Sequence, residues 1–160
     1  MMAATTINPD TFLQTEVGRV WTPERNAEAW RRSFEALDAT LERGEASDVV
    51  IVCGLQGAGK STWIDRQLDT KAVVYFDAAL PGARHRKPII DIARQRRAKI
   101  RAVWINVPLS TALERNALRP LDQIVLEESI RSVASQFEPP SVDEGFEAVT
   151  IVEIQPNDVA

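Results

Sequence analysis

The sequence contains a single cysteine, Cys53, so no disulfide can form within the chain. A lone thiol inside an apolar run suits a reducing compartment. No run of about 18 apolar residues occurs, and so no transmembrane helix is expected. The first twenty residues lack a basic start followed by an apolar block and do not read as a secretion signal; a cytoplasmic location and no membrane partner are expected. An excess of positive charge is also missing. Nineteen Lys and Arg against 23 Asp and Glu leave a net charge of −4, which argues against a general polyanion binder. Neither an internal repeat nor a low-complexity tract is visible.

What remains is ordinary for a globular protein: 44% apolar and 26% charged residues in a chain of 160. That length suggests one domain with room for a core. We place it at 22–160, preceded by an N-terminal arm, 1–21, that shows no clear period. The charge is unevenly spread. Arg84 to Arg101 holds eight Lys or Arg and one acid, whereas Asp122 to Ala160 holds nine acids and one base. The basic stretch suits either a phosphate-bearing partner or a solvated helix face whose later bases complement the helix C-terminus.

Periodicity predicts the elements. Thr22 can cap a helix that has Pro23 in its first turn and Gly44 at its end. Ala27, Trp30, Phe34, Leu37 and Leu41 form its apolar stripe. The runs 49–53, 72–76 and 101–107 are continuous and β-branched, as strands buried on both faces are. A fourth strand is expected over 147–154. Helices are expected over 60–68, within 83–99 from near Lys87–Pro88, after a Ser110 cap, and over 121–137, where the "EPPS" that follows Phe137 stops the chain. Leu126, Ile130, Val133 and Phe137 would line the last of these. Alternating strands and helices imply an α/β fold, a parallel sheet of about four strands flanked by helices, with an extra N-terminal helix.

Between the first run and the next helix lies "GLQGAGKST". Gly54, Gly59, Lys60 and Ser61 fit the phosphate-binding pattern G-x-x-x-x-G-K-[S/T] in its proper context, a strand before and a helix after. The chemistry explains the residue types. Glycines let the backbone turn its N–H groups inward, and the helix N-terminus favours an anion. Gly54, Gln56, Gly57, Ala58, Gly59, Lys60, Ser61 and Thr62 are therefore the candidate ATP-binding residues. Lys60 would set a charge on the terminal phosphates, and Ser61 would offer its hydroxyl to Mg²⁺. Asp77, at the end of "AVVYFD", is the candidate metal-water ligand or active-site base. Arg115 and Arg119, four apart on one helix face, could meet the phosphates. Arg119 precedes Pro120, where the helix must end, and could ride on a lid.

"GLQGAGKSTW", "VVYFDA", "ERNALRP" and "SQFEPPSVDEGFEAV" together resemble the 5′-hydroxyl kinase module of end-healing polynucleotide kinases, from about Val49 to Val152. The resemblance implies a P-loop domain that moves the γ-phosphate of ATP to a nucleic acid 5′-end with Mg²⁺. It assigns catalytic roles to Lys60, Asp77, Arg115 and Arg119. It puts Arg84 and Arg86 near the phosphates or the nucleic acid, and gives His85 no role. Trp63 is expected in the core. The sequence departs from that family in one place. "IDRQLDTKAVVYFD" runs almost directly from helix to strand, so the strand, the helix and the acid that serves as base in that family have no counterpart between them. A small hydroxyl acceptor, or an ATP-binding module that no longer transfers phosphate and acts as a regulatory or partner protein, are the alternative expectations. The short sheet leaves an edge strand that invites pairing, so a homodimer is a candidate assembly.

Overall fold

The computed structural model describes residues 4–67 and 72–154. Among the described residues seven strands occur: β1 Thr5–Ile7, β2 Gln14–Thr15, β3 Gly18–Arg19, β4 Asp48–Cys53, β5 Val73–Asp77, β6 Lys99–Asn106 and β7 Val149–Glu153. Five α-helices accompany them: α1 Pro23–Glu42, α2 Lys60–Asp65, α3 Ala83–Gln95, α4 Leu109–Ala117 and α5 Glu127–Gln136. The main sheet has the order β1-β5-β4-β6-β7 and every pairing in it is parallel. β2 and β3 form a separate small hairpin. No helix among the described residues is long and apolar enough to cross a membrane.

The continuous apolar runs are explained by two covered faces. Along β4, Val49, Ile51 and Cys53 join one core cluster with Val74 and Phe76, against Leu37 and Leu41 of α1 and Ile89 and Ala93 of α3. Val50 and Val52 join the other with Tyr75, Val103 and Ile105, against Ile64 of α2 and Ala112 of α4. Trp63 meets Tyr75 edge-on at 6.3 Å in that second cluster.

The sheet has five strands rather than four, because the expected arm is built into it. Thr5, Thr6 and Ile7 pair with Val74, Tyr75 and Phe76, and Ile7 is buried. The edge of β5 is thus covered by the chain's own β1. α1 begins as expected, with Thr22 accepting from Arg25 N at 3.0 Å and Pro23 leading. Its stripe is turned from the expected one. Ala27 is exposed, while Ala29 and Ser33 are buried, Ser33 donating to the Ala29 carbonyl at 2.8 Å.

α3 starts at Ala83, ahead of the expected Lys87, and tolerates Pro88 in its interior. Its start is fixed by His85, whose Nδ1 accepts from Gly82 N at 3.0 Å. Ser110 is not a cap; α4 begins two residues earlier than such a cap would set it, at Leu109 after Pro108. The helix expected over 121–137 divides. A 3-10 turn covers Leu121–Gln123, and α5 begins only at Glu127. Between them Val125 is clamped by Asn116, which donates to its carbonyl at 2.7 Å and accepts from its N–H at 3.0 Å. Leu126 is therefore exposed and leaves the stripe, while Ile130 is buried and Phe137 stacks on Trp104. Of the helix expected over 60–68, position 68 lies outside the described residues.

Candidate functional site

All the main strands run the same way, so their C-terminal ends share one edge of the sheet. The chain leaves β4 for β5 on one side and continues to β6 on the other. Crevices at such a reversal are where open α/β sheets hold ligands. Here that crevice opens into a cavity of about 880 Å³. It is floored by the glycine-rich loop after β4 and by Asp77 at the end of β5. The stretch from Arg115 to Leu126 forms one wall and the segment from Asn8 to Trp30 the other.

The loop could not be built without its glycines. Gly57 has φ +85° and Gly59 φ +98°, in the left-handed region. A Cβ on Gly57 would also stand 2.5 Å from the Ala112 carbonyl oxygen of α4, and one on Gly54 (φ +145°) 2.5 Å from that of Ile105. A Gly57→Ala variant is expected to lose about 1–3 kcal/mol of stability from that strained backbone conformation alone. A lowered urea midpoint with unchanged slope would show it; an unchanged midpoint would mean the loop sits elsewhere.

Lys60 Nζ donates to the carbonyls of Gly54 and Leu55 at 3.1 and 2.9 Å. Burial holds its pKa below the ordinary lysine value, and Asp77 opposes the fall. Ser61 Oγ donates to Asp77 Oδ2 at 2.6 Å, and Asp77 is otherwise buried. Arg115 donates to the Ala58 carbonyl at 3.3 Å and so braces the loop from α4. Arg119 is only partly exposed on the cavity wall. Burial lowers its pKa and neighbouring Arg19 adds to the fall, against Asp10 and Asp77. Gln56, Gly57, Gly59 and Thr62 also line the cavity, and the loop's own Ala58 is buried beneath it.

Two sequence expectations do not reach this place. Arg86, expected at the substrate, is 0% exposed. Its Nε and NH2 donate to the two carboxylate oxygens of Glu144 at 2.8 and 3.1 Å, and NH1 to the Leu80 carbonyl at 2.8 Å. It is a structural clasp between α3 and the segment before β7. Arg84 is exposed in the first turn of α3 and does not line the cavity. The basic stretch as a whole is dispersed. Lys87 pairs with Asp91, and Arg96 reaches Asp38 of α1.

Sequence reasoning missed the second wall. Asn8, Asp10, Leu13, Arg19, Trp21, Asn26 and Trp30 all come from the N-terminal segment. The hairpin β2–β3 is latched to the opposite wall, Arg19 N donating to Asp122 Oδ2 at 2.8 Å. The signal available in the sequence was the pair Asp10 and Trp21 flanking a short turn-rich stretch, too weak to rank without the pairing of β1.

Among the described residues no group of three or more His, Cys, Asp or Glu gathers as a metal cage. The donors present suit Mg²⁺ nonetheless, since that ion takes one or two protein oxygens and fills its remaining positions with phosphate and water. Ser61 and Asp77, in contact at the cavity floor, are the pair that fits. No protein-family model matches the chain, and no curated protein gives a significant match.

Proposed function

We propose that this protein is an ATP-dependent phosphotransferase that moves the γ-phosphate to a hydroxyl, with a polynucleotide 5′-hydroxyl as acceptor. The observation that carries this reading is the joining of Lys60, Ser61, Asp77 and Arg119 around one cavity at the end of β4 and β5. Backbone N–H groups of the glycine-rich loop not already bonded within it, together with the start of α2, would receive the β- and γ-phosphates. Lys60 would leave the carbonyls it now caps and neutralise those phosphates. Ser61 and Asp77 would hold Mg²⁺, which supplies charge neutralisation on the β- and γ-oxygens. Arg119 would offset the charge on the transferring group, and Arg115 keeps the loop in place. In phosphoryl transfer such positioning and electrostatics make most of the rate. The choice of acceptor follows the polynucleotide-kinase resemblance of the four sequence strings.

Label from γ-labelled ATP should appear on a 5′-hydroxyl oligonucleotide in the presence of Mg²⁺, and Lys60→Ala should abolish both this transfer and ATP uptake measured by calorimetry. Transfer to a metabolite and not to the oligonucleotide would replace the acceptor. Uptake of Mg-ATP with no transfer would leave a binding module, and no uptake of ATP would end the proposal.

A further inference from the structure

We infer that the N-terminal segment from Asn8 to Trp30 is the acceptor-binding half of the cavity, with Asp10 receiving the proton of the attacking hydroxyl and Trp21 stacking on a ring of the acceptor. This rests on the phosphotransferase reading. The cavity has two chemically different walls. One carries the loop, Asp77 and Arg119, which suffice for phosphate. The other carries Arg19 and, beside it, a carboxylate, two amides and two indoles, Asp10, Asn8, Asn26, Trp21 and Trp30, which phosphate does not need.

Three acids line the cavity, and two are engaged. Asp77 is buried against Ser61. Asp122 accepts from Arg19 N. Asp10 differs. Its side chain is 50% exposed, and its ion partner Arg19 stands at 3.7 Å, beyond hydrogen-bond range. Its backbone is fixed nevertheless, because Asp10 N donates to Asn8 Oδ1 at 2.9 Å as the first turn after β1 begins. The carboxylate is therefore held at the end of the strand next to β5, in the same cavity as Lys60. Its charge is felt at both Lys60 and Arg119. A base must share the site with its proton donor and leave its own oxygens available, and of the three acids lining the cavity Asp10 is the one whose carboxylate stands beyond hydrogen-bond range of the partner it faces.

Trp21 is 62% exposed on the cavity rim. A flat indole held at the mouth of a phosphate site offers a stacking surface for a nucleobase, and such stacking is tolerant of sequence. The atoms balance simply. The acceptor oxygen bonds to the γ-phosphorus while the bond from that phosphorus to the β–γ bridging oxygen breaks. ADP leaves with the bonding electrons, and the hydroxyl proton passes to an Asp10 oxygen and then to water.

The test uses the full chain with γ-labelled ATP, Mg²⁺ and two acceptors, a 5′-hydroxyl oligodeoxynucleotide and ring-free glycerol. Asp10→Asn should lower kcat to the oligonucleotide by about 10²–10⁴-fold, with the Kd for Mg-ATP within about twofold of the parent. Trp21→Ala should raise the oligonucleotide KM by about 5- to 150-fold, the factor that corresponds to loss of one stacked base, and leave the KM for glycerol unmoved. Thermal unfolding of both variants checks that the fold is kept. An Asp10→Asn enzyme as fast as the parent overturns the proton role while phosphotransfer itself stands. Equal KM effects on both acceptors overturn the stacking role. A parent protein that takes up no ATP, or binds it and labels neither acceptor, removes the phosphotransferase reading and this proposal with it.

Discussion

Replacing Glu144 by alanine is expected to cost about 3–5 kcal/mol of stability, the usual penalty for removing one member of a buried ion pair. Arg86 would keep its charge inside the protein and lose two of its three hydrogen bonds. The damage would spread, because Glu144 also accepts from Ser141 N at 2.9 Å and so shapes the turn before β7. That turn carries Gly145, on which a Cβ would stand 2.5 Å from Arg94 NH2, and Phe146, which is buried in the core. The measurement is a urea titration followed by fluorescence of the four tryptophans, with the change read in the midpoint. An internal control separates the stranded charge from lost packing. The double variant Arg86→Met, Glu144→Leu should recover most of the loss, since apolar residues of like size replace buried pairs at little cost. If Glu144→Ala moved the stability by less than about 0.5 kcal/mol, within the range of an ordinary surface change, the clasp would not exist.

This clasp also shows where sequence reasoning stops. "FEPPSVDEGF" stood out as a narrow resemblance to a kinase module, and its residues have a structural task here. Ser141 and Glu144 cap a turn, Glu144 grips Arg86 and Phe146 fills the core. Arg86 was legible as a cation beside a phosphate loop, and its partner 58 positions away was not. The strands over 48–53 and 73–77 were legible because both sheet faces are covered, which leaves no polar alternation to confuse with a helix. β6 starts two residues ahead of the expected 101, where Lys99 and Arg101 alternate with buried Ile100 and Ala102 and interrupt the apolar run. β1 was not legible. It has three residues, two of them threonine, and exists by pairing to β5. No local period can announce a strand that short. With β1 unseen, nothing in the arm singled out Asp10, and the wall it belongs to went unpredicted. The split of the expected helix at 121–137 has the same origin. Leu126 and Ile130 are spaced as one stripe, yet the Asn116 clamp on Val125 overrides that spacing from another helix.

On the proposed phosphotransferase activity, Arg119→Ala is expected to slow transfer by about 10³-fold or more, since a cation supplied to the transferring group in such chemistry contributes about 10³–10⁵. The geometry sets Arg119 apart from Arg115. Arg115 already donates to the Ala58 carbonyl, so its removal should loosen the loop and weaken nucleotide uptake together with turnover. Arg119 closes α4 through its N–H to the Asn116 carbonyl at 3.1 Å, and its side chain enters the cavity from the far wall. Partial burial sharpens its effect, because a cation held away from water acts through a lower dielectric. Its lowered pKa has the same cause, and guanidinium remains charged regardless at any working pH. The two variants should therefore separate in a binding and kinetics comparison. Arg119→Ala should keep the Kd for ADP near that of the parent while kcat collapses, and Arg119→Lys should restore little, because a point charge on a flexible stem does not reproduce the planar fork. A kcat for Arg119→Ala within threefold of the parent would remove Arg119 from the transferring group. In that case the charge would have to come from Lys60 and Mg²⁺ alone, and the wall from Arg115 to Leu126 would serve to shape the cavity and not to catalyse.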